Sequence, residues 1–273
     1  MDSDSVSAII TNYNNAPTIG RAIRSVREQT HQDWELIVVD DASKDESIRV
    51  IQAALDGETR ARLEVMPTNS GGPGKPRNHA VTIARGRWVA FLDADDVWHP
   101  RKLELQLAAA RKTDARFVST RRLSFRKDDE IRFDEKLAPT DTVLAGARLD
   151  HVQLARKNFL CTSSVLGWRE LFLAHPFHPD LRYRAIEDYW CWLHVHRDGI
   201  PWSWLMRTPL VHYRLAETSI SRSRAEMIRK HWMLYGDYFS GQPWAVLRRC
   251  LSMGTYAGYS IARLASERWL GVR

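Results

Sequence analysis

The stretch WVAFLDADD, Trp88 to Asp96, decides how the chain is read. Trp88 to Leu92 is a short apolar run of strand length, and it leads directly into Asp93-Ala94-Asp95-Asp96. Carboxylates crowded at the end of an apolar strand repel one another. A divalent cation such as Mg2+ or Mn2+, which prefers carboxylate, water and phosphate oxygens, relieves that repulsion. Such an ion also neutralises a diphosphate leaving group. An isolated cluster of this kind is more often a solvated acidic turn that caps the next helix, so its neighbours carry the weight.

Upstream, strand and helix alternate. Ala8-Ile9-Ile10 reads as a buried strand ending in the turn-rich Thr11-Asn12-Tyr13-Asn14-Asn15. Ile19, Ala22, Ile23 and Val26 then mark one face of a helix. Trp34 to Val39 forms a second strand, with Asp40-Asp41 at its end. Ser43 and Glu46 have capping-box spacing ahead of a helix through Ile48, Ile51 and Leu55. A third strand is expected near Leu63 to Met66, followed by a glycine- and proline-rich loop from Asn69 to Asn78. A short helix through Ala80, Ile83 and Ala84 ends at Gly86.

This order predicts an α/β fold with a mostly parallel sheet covered on both faces. Ligands of such sheets bind outside the carboxyl ends of the strands. Thr11/Tyr13, Asp40/Asp41 and Asp93/Asp95/Asp96 all fall there. Asp40 or Asp41 can accept hydrogen bonds from a base or ribose, or simply cap the next helix. The glycine-rich loop, with Lys75 and Arg77, brings backbone and cationic groups toward phosphate, but it has neither GxxxxGK[ST] nor GxGxxG spacing.

Downstream the pattern weakens. Leu103, Leu107 and Ala110 predict a helix, Phe117 to Ser119 a strand, and the charged stretch 124–142 a loop. Ile186 to Arg197 reads as a helix stopping near Gly199, Trp202 to Tyr213 as extended chain, and the chain from about 222 as helices. Glu187-Asp188 opens the first of these helices. A carboxylate there can deprotonate a hydroxyl, and acidic residues also favour that end of a helix on their own account. His194 and His196, two apart on a helix, point to different faces, so they form no ligand pair.

The 273 residues carry a formal charge of +7 and 44% hydrophobic residues, as befits a globular chain with anionic partners. The basic residues are scattered and no nucleic-acid-binding module appears, so no nucleic-acid partner is expected. Cys161, Cys191 and Cys250 lie far apart without a CxxC pair, which argues against a disulfide framework and for a reducing, cytoplasmic setting. Met1 to Ser7 does not read as a signal peptide, and no run of 18 apolar residues occurs. Arginines interleaved with Trp and Tyr over Pro243 to Arg273 fit either a helix on an anionic membrane surface or helices packed on the main domain.

In order, AIITNYNNAPTIGRAIRSVREQT (8–30), WELIVVDDASKDES (34–47), NSGGPGKPRNHAVTIARGRWVAFLDADDVWHPRKLELQ (69–106), IEDYWCWLHVHRDG (186–199) and HYRLAETSIS (212–221) resemble the family 2 glycosyltransferases of the GT-A fold, of the bacterial glycan-biosynthesis type. The resemblance implies a catalytic domain over 1–221, with a nucleotide-binding half to about 100 and an acceptor-binding half beyond it, and a helical extension over 222–273. It also implies a nucleotide-sugar donor, a UDP-sugar first, with Mn2+ or Mg2+. Thr11, Tyr13 and Asp40 would meet base and ribose, Arg77 the nucleotide, and Asp93 and Asp95 the nucleotide and metal. Asp188 would be the general base of an inverting transfer to a glycan or lipid-linked acceptor. The expected location is cytoplasmic, at the inner face of the cell membrane if the tail binds there. The sequence departs from the family at Ala216, where many members carry a histidine that approaches the metal; this shifts the expected metal contact to Asp95 and the diphosphate rather than His212. The QxxRW motif of processive synthases is absent, Ala265 standing where Gln is expected before Arg268-Trp269, so transfer of a single residue is expected. A non-catalytic binding protein and a nucleotidyltransferase are the alternatives.

Overall fold

A computed structural model describes residues 4–134, 137–215 and 224–269, with side chains over 225–258 in the last stretch. The first half is a regular alternation: β1 (Val6–Asn12), α1 (Ala16–Arg27), β2 (Trp34–Asp40), α2 (Ser47–Leu55), β3 (Ala61–Val65), α3 (Gly74–Ile83) and β4 (Trp88–Asp93). These four strands are mutually parallel in the order β3-β2-β1-β4. Their side chains alternate between two cores, as a strand's period of two requires. Ile9, Ile37, Val89 and Phe91 face one core, and Ala8, Ile10, Leu36, Val38, Ala90 and Leu92 face the other.

The second half extends the same sheet with mixed polarity. It comprises β5 (Val97–Trp98), α4 (Lys102–Thr113), β6 (Phe117–Phe125), α5 (Asp141–Leu144), β7 (Gly146–Leu149), α6 (His151–Arg156), β8 (Leu166–Trp168), α7 (Arg169–Ala174), α8 (Glu187–His194) and β9 (Ser203–Arg214). The sheet runs β3-β2-β1-β4-β8-β6-β9-β5, with β7 also paired to β9. Short β8 is antiparallel to both β4 and β6, while β6 and β9 are parallel. The expected parallel order therefore holds for the first four strands and changes beyond β4.

Three local expectations are corrected. Ser43 does not cap α2: its N–H and hydroxyl both donate to Asp40, and the Ser47 N–H at the helix start uses Asp45 instead. Strand β6 continues to Phe125, past the expected end, because a register shift at Thr120 to Arg122 turns the charged segment outward while it stays paired to β9. The stretch read as a loop over 124–142 holds the end of β6, a 3-10 turn at Asp128–Glu130 and the start of α5.

Helices α9 (Arg224–Phe239) and α10 (Ala245–Trp269) close the chain. Leu234, Tyr235, Tyr238 and Phe239 of α9 are buried in the same core as Phe91 and Trp192. The Tyr189 and Tyr235 hydroxyls meet at 2.9 Å. Among the described residues, no helix is long and apolar enough to cross a membrane.

Candidate active site

The carboxyl edge of the sheet gathers the polar residues. Parallel register places Thr11 beside Asp93 and Asn12 beside Asp40. Tyr13, the next residue on the loop, is exposed, and Thr11 is half-buried. Asp40 has no exposed surface. Its Oδ2 accepts from Asn12 Nδ2 at 2.7 Å and Ser43 Oγ at 2.6 Å, and its Oδ1 accepts from the Ser43 N–H at 2.8 Å. Sequence reasoning expects Asp40 to reach a base or ribose; its carboxylate also fastens the loop after β2 to β1. Asp41 is likewise engaged, accepting from Asn69 Nδ2 and from the Ser70 N–H and hydroxyl. Burial pushes Asp41 above the usual carboxylate range, against the Ser70 bonds.

Arg77 lies on the inner face of α3, in register with buried Ala80, Val81 and Ala84 at helical spacing. Gly74 permits this approach. A Cβ there would stand 2.7 Å from the His178 carbonyl oxygen. A buried guanidinium requires partners, and Arg77 has two: Asp93 Oδ1 at 2.7 Å and Glu187 Oε1 at 2.8 Å. Burial alone would lower the basicity of Arg77, but Asp93, Glu187 and Asp188 raise it above its ordinary value. One side chain thus joins the end of β4 to the start of α8.

The remaining acids differ in setting. Asp96 is fully buried, accepting from Ser163 Oγ at 2.5 Å and the Arg214 N–H at 2.9 Å, and it braces the ends of β4 and β9. Burial, then Asp93 and Asp95, push it well above the carboxylate range. Asp95 is half-buried, and burial followed by Asp93 pushes it up to about 6. Asp188, also half-buried, accepts from Thr162 Oγ1 at 2.9 Å and from the Tyr189 N–H at 2.6 Å. Burial and Glu187 push it up to about 7 in spite of Arg77 and Thr162. A carboxylate poised there is matched to taking a proton near neutral pH.

Arg77, Asp93, Glu187 and Asp188 are therefore brought together, with Asp95 and Thr11 at their side. His212 is not presented as a free ligand: it is buried against the Phe125 and Phe133 rings, and burial lowers its pKa. Ala216 lies outside the described residues. Among the described residues, no group of three or more His, Cys, Asp and Glu is arranged to hold a metal ion. The half-buried carboxylates at the end of β4 are Asp93 and Asp95, the latter raised by burial and then by Asp93. Two carboxylates suit a cation that completes its shell with water and phosphate. Sequence reasoning did not find Thr162 and Ser163. Their one signal is a polar run, Cys161-Thr162-Ser163-Ser164, set between Leu160 and Val165.

Residues 7–174 match the sequence model of the family described as "Glycosyl transferase family 2". The chain is also 30% identical over 240 residues to the Escherichia coli UDP-Glc:alpha-D-GlcNAc-diphosphoundecaprenol beta-1,3-glucosyltransferase WfgD, covering 87% of this chain and 88% of that one. The chain belongs to glycosyl transferase family 2. It is a glycosyltransferase. A second relative, the putative teichuronic acid biosynthesis glycosyltransferase TuaG of Bacillus subtilis, is 29% identical over 85% of this family 2 chain and 87% of its own. Two solved structures share the fold. S. aureus TarS 1–349 in complex with UDP-GlcNAc aligns with a TM-score of 0.67 at 17% identity, over 89% of this chain and 69% of that one. The mannosyltransferase PcManGT from Pyrobaculum calidifontis, in complex with GDP-Man and Mn2+, aligns with a TM-score of 0.60 at 17% identity, over 98% and 80%. The family 2 chain thus has the GT-A fold, its mixed sheet flanked by helices.

Proposed function

We propose that this family 2 enzyme transfers one sugar, with inversion, from a nucleotide-sugar to a hydroxyl of a glycan or lipid-linked acceptor. The observation that carries the reading is Asp188. It is a carboxylate pushed up to about 7, held by Thr162 and set next to Glu187, which Arg77 links to Asp93 at the end of β4. Asp188 takes the proton of the acceptor hydroxyl as that oxygen bonds to the anomeric carbon. The bond from that carbon to the diphosphate oxygen breaks, and the nucleoside diphosphate leaves with the electron pair. Holding the two substrates in line supplies much of the acceleration.

Thr11 and Tyr13 lie where base and ribose would be received, and Asp40 shapes the loop beneath them. Arg77 aligns Asp93, and through it the nucleotide. Asp93 and Asp95 would hold Mn2+ or Mg2+, which when bound adds positive charge beside the departing diphosphate. A UDP-sugar is the preferred donor and a diphosphate-linked lipid the preferred acceptor, because WfgD, the relative similar over most of its length, is named for both. Residues 1–221 form the catalytic unit and 222–273 the extension; the boundary lies outside the described residues. The extension gives the enzyme a peripheral hold on the inner face of the membrane. Trp244, Val246, Leu247 and Leu251 support this reading, since all four are exposed at the start of α10.

The test is a donor panel of UDP-, GDP- and dTDP-sugars with Mn2+, beginning with UDP-glucose and a GlcNAc-diphosphate lipid. Asp188→Asn should lower transfer by about 100- to 10,000-fold, the usual contribution of a positioned base, while donor affinity is kept. Transfer that survives in this variant would remove Asp188 from the role.

A further inference from the structure

One short turn sends side chains to both acid centres. Thr162 Oγ1 donates to Asp188 Oδ2 at 2.9 Å. The next residue, Ser163, donates its hydroxyl to Asp96 Oδ2 at 2.5 Å and accepts from the Asp93 N–H at 3.0 Å. Thr162, Ser163 and Ser164 are all buried. The backbone of the turn is pinned from behind: Trp98 Nε1 donates to the Ser163 carbonyl at 2.8 Å, and Gln106 Nε2 to the Ser164 carbonyl at 2.9 Å. Those two holders come from β5 and α4, so the turn is fixed independently of α8, the helix that carries Asp188.

We propose that Thr162 is the positioning residue of Asp188, setting the direction of the carboxylate and its readiness to accept a proton. The proposal rests on the reading of Asp188 as the base. A carboxylate on the first turn of a helix is free to rotate about its last bond. Here one oxygen is held by the Tyr189 N–H and the other by the Thr162 hydroxyl. Two donors on two different oxygens fix the plane of the group and so the direction of the lone pairs left for an acceptor hydroxyl. A donor to the carboxylate also favours its charged form. The charged and titratable groups facing Asp188 are Glu187 and Cys191 on its own helix and Arg77 on α3. Burial and Glu187 favour the protonated form, while Arg77 and Thr162 oppose it. Removing the Thr162 hydroxyl therefore lowers the fraction of Asp188 that is a base at neutral pH.

Thr162→Val keeps the shape and loses the donor. Its kcat should fall by about 10- to 100-fold, the range for a hydrogen bond to a charged group, with the KM for the donor unchanged. The acid limb of its pH–rate profile should move to higher pH, and Thr162→Ser should restore both. Ser164→Ala is the control, since that hydroxyl donates only to the Cys161 carbonyl within the turn and should leave both quantities alone. A readout without substrate uses 13C-labelled aspartate: the carboxyl resonance missing in Asp188→Asn titrates at higher pH in Thr162→Val than in the parent chain. If Thr162→Val does not fold, as judged by its melting curve, Thr162→Ala is read in the same way. An unshifted Asp188 titration and an unchanged kcat in the folded variant, with Asp188→Asn inactive, overturn the proposal and leave the base standing. Transfer by Asp188→Asn overturns both.

Discussion

The loop after β2 and the mouth between β4 and α8 both crowd carboxylates at the carboxyl edge of the sheet, but they satisfy them differently. Asp40 is served by Asn12 and Ser43, and Asp41 by Asn69 and Ser70, all uncharged donors from the first strand–helix units. At the end of β4 and the start of α8, a buried charge from α3 joins the uncharged donors Thr162 and Ser163. Arg77 is shared between Asp93 and Glu187, and the Glu187 Oε2 atom is buried with no hydrogen-bond partner. Asp188 and Asp95 are held with raised pKa values. A self-contained network builds a rigid loop. An incompletely compensated one leaves Asp95 and Asp188 raised to about 6 and about 7, whereas the Asn69 and Ser70 donors attend the raised Asp41.

The comparison is broken most severely at Arg77. Arg77→Met should cost about 3–5 kcal/mol, because it strands Glu187 and Asp93 without their buried counter-charge. In a chain of this size, that is a Tm drop of about 10 °C. Adding Glu187→Met should recover part of the loss, since an uncompensated buried charge costs more than an apolar replacement. If the double variant melts no higher than the single one, Glu187 is not the group left stranded. Asp40→Ala is the next step down. It should cost about 1–3 kcal/mol, the penalty for leaving the Asn12 and Ser43 donors unpaired, as read by urea denaturation. Ser43→Ala should cost about 1 kcal/mol by the same measurement, with kcat close to that of the parent chain. A large loss of kcat in Ser43→Ala would show that the β2 loop takes part in turnover and would dissolve the contrast.

A smaller and smoother effect follows from pH. The base form of Asp188 is the deprotonated one. With its pKa pushed up to about 7, the rate should rise as pH increases through that value and fall away below it. A profile flat from pH 6 to 8 would mean that another group limits the rate.

The N-terminal half was legible because its signals are local. Apolar runs such as Trp34–Val39 and Trp88–Leu92 have strand length, and Ile19, Ala22, Ile23 and Val26 repeat with the helical period. The half beyond β4 was less so. Strand β8 has three residues and β5 two, too few for any period to register. Ser43 and Glu46 carry the letters of a capping box, but Ser43 has a stronger partner in the buried Asp40 carboxylate, which takes both its N–H and its hydroxyl. Arg77 reads as a cation of the glycine-rich loop; that α3 begins within the loop and aims it at Asp93 and Glu187 was not legible there. Thr162 was missed because its role depends on where α8 docks, which no spacing in the sequence encodes.

The contact between Arg77 and Glu187 spans 110 positions along the chain. Closing so long a loop is entropically costly and comes late in folding, after the local strand–helix units have formed. A chain collapsed only as far as the parallel strands can pair Arg77 with Asp93, but its second guanidinium arm has no Glu187 to meet it. The ion pair therefore forms only once α8 has docked on α3, and it reports that the two halves of the chain have met.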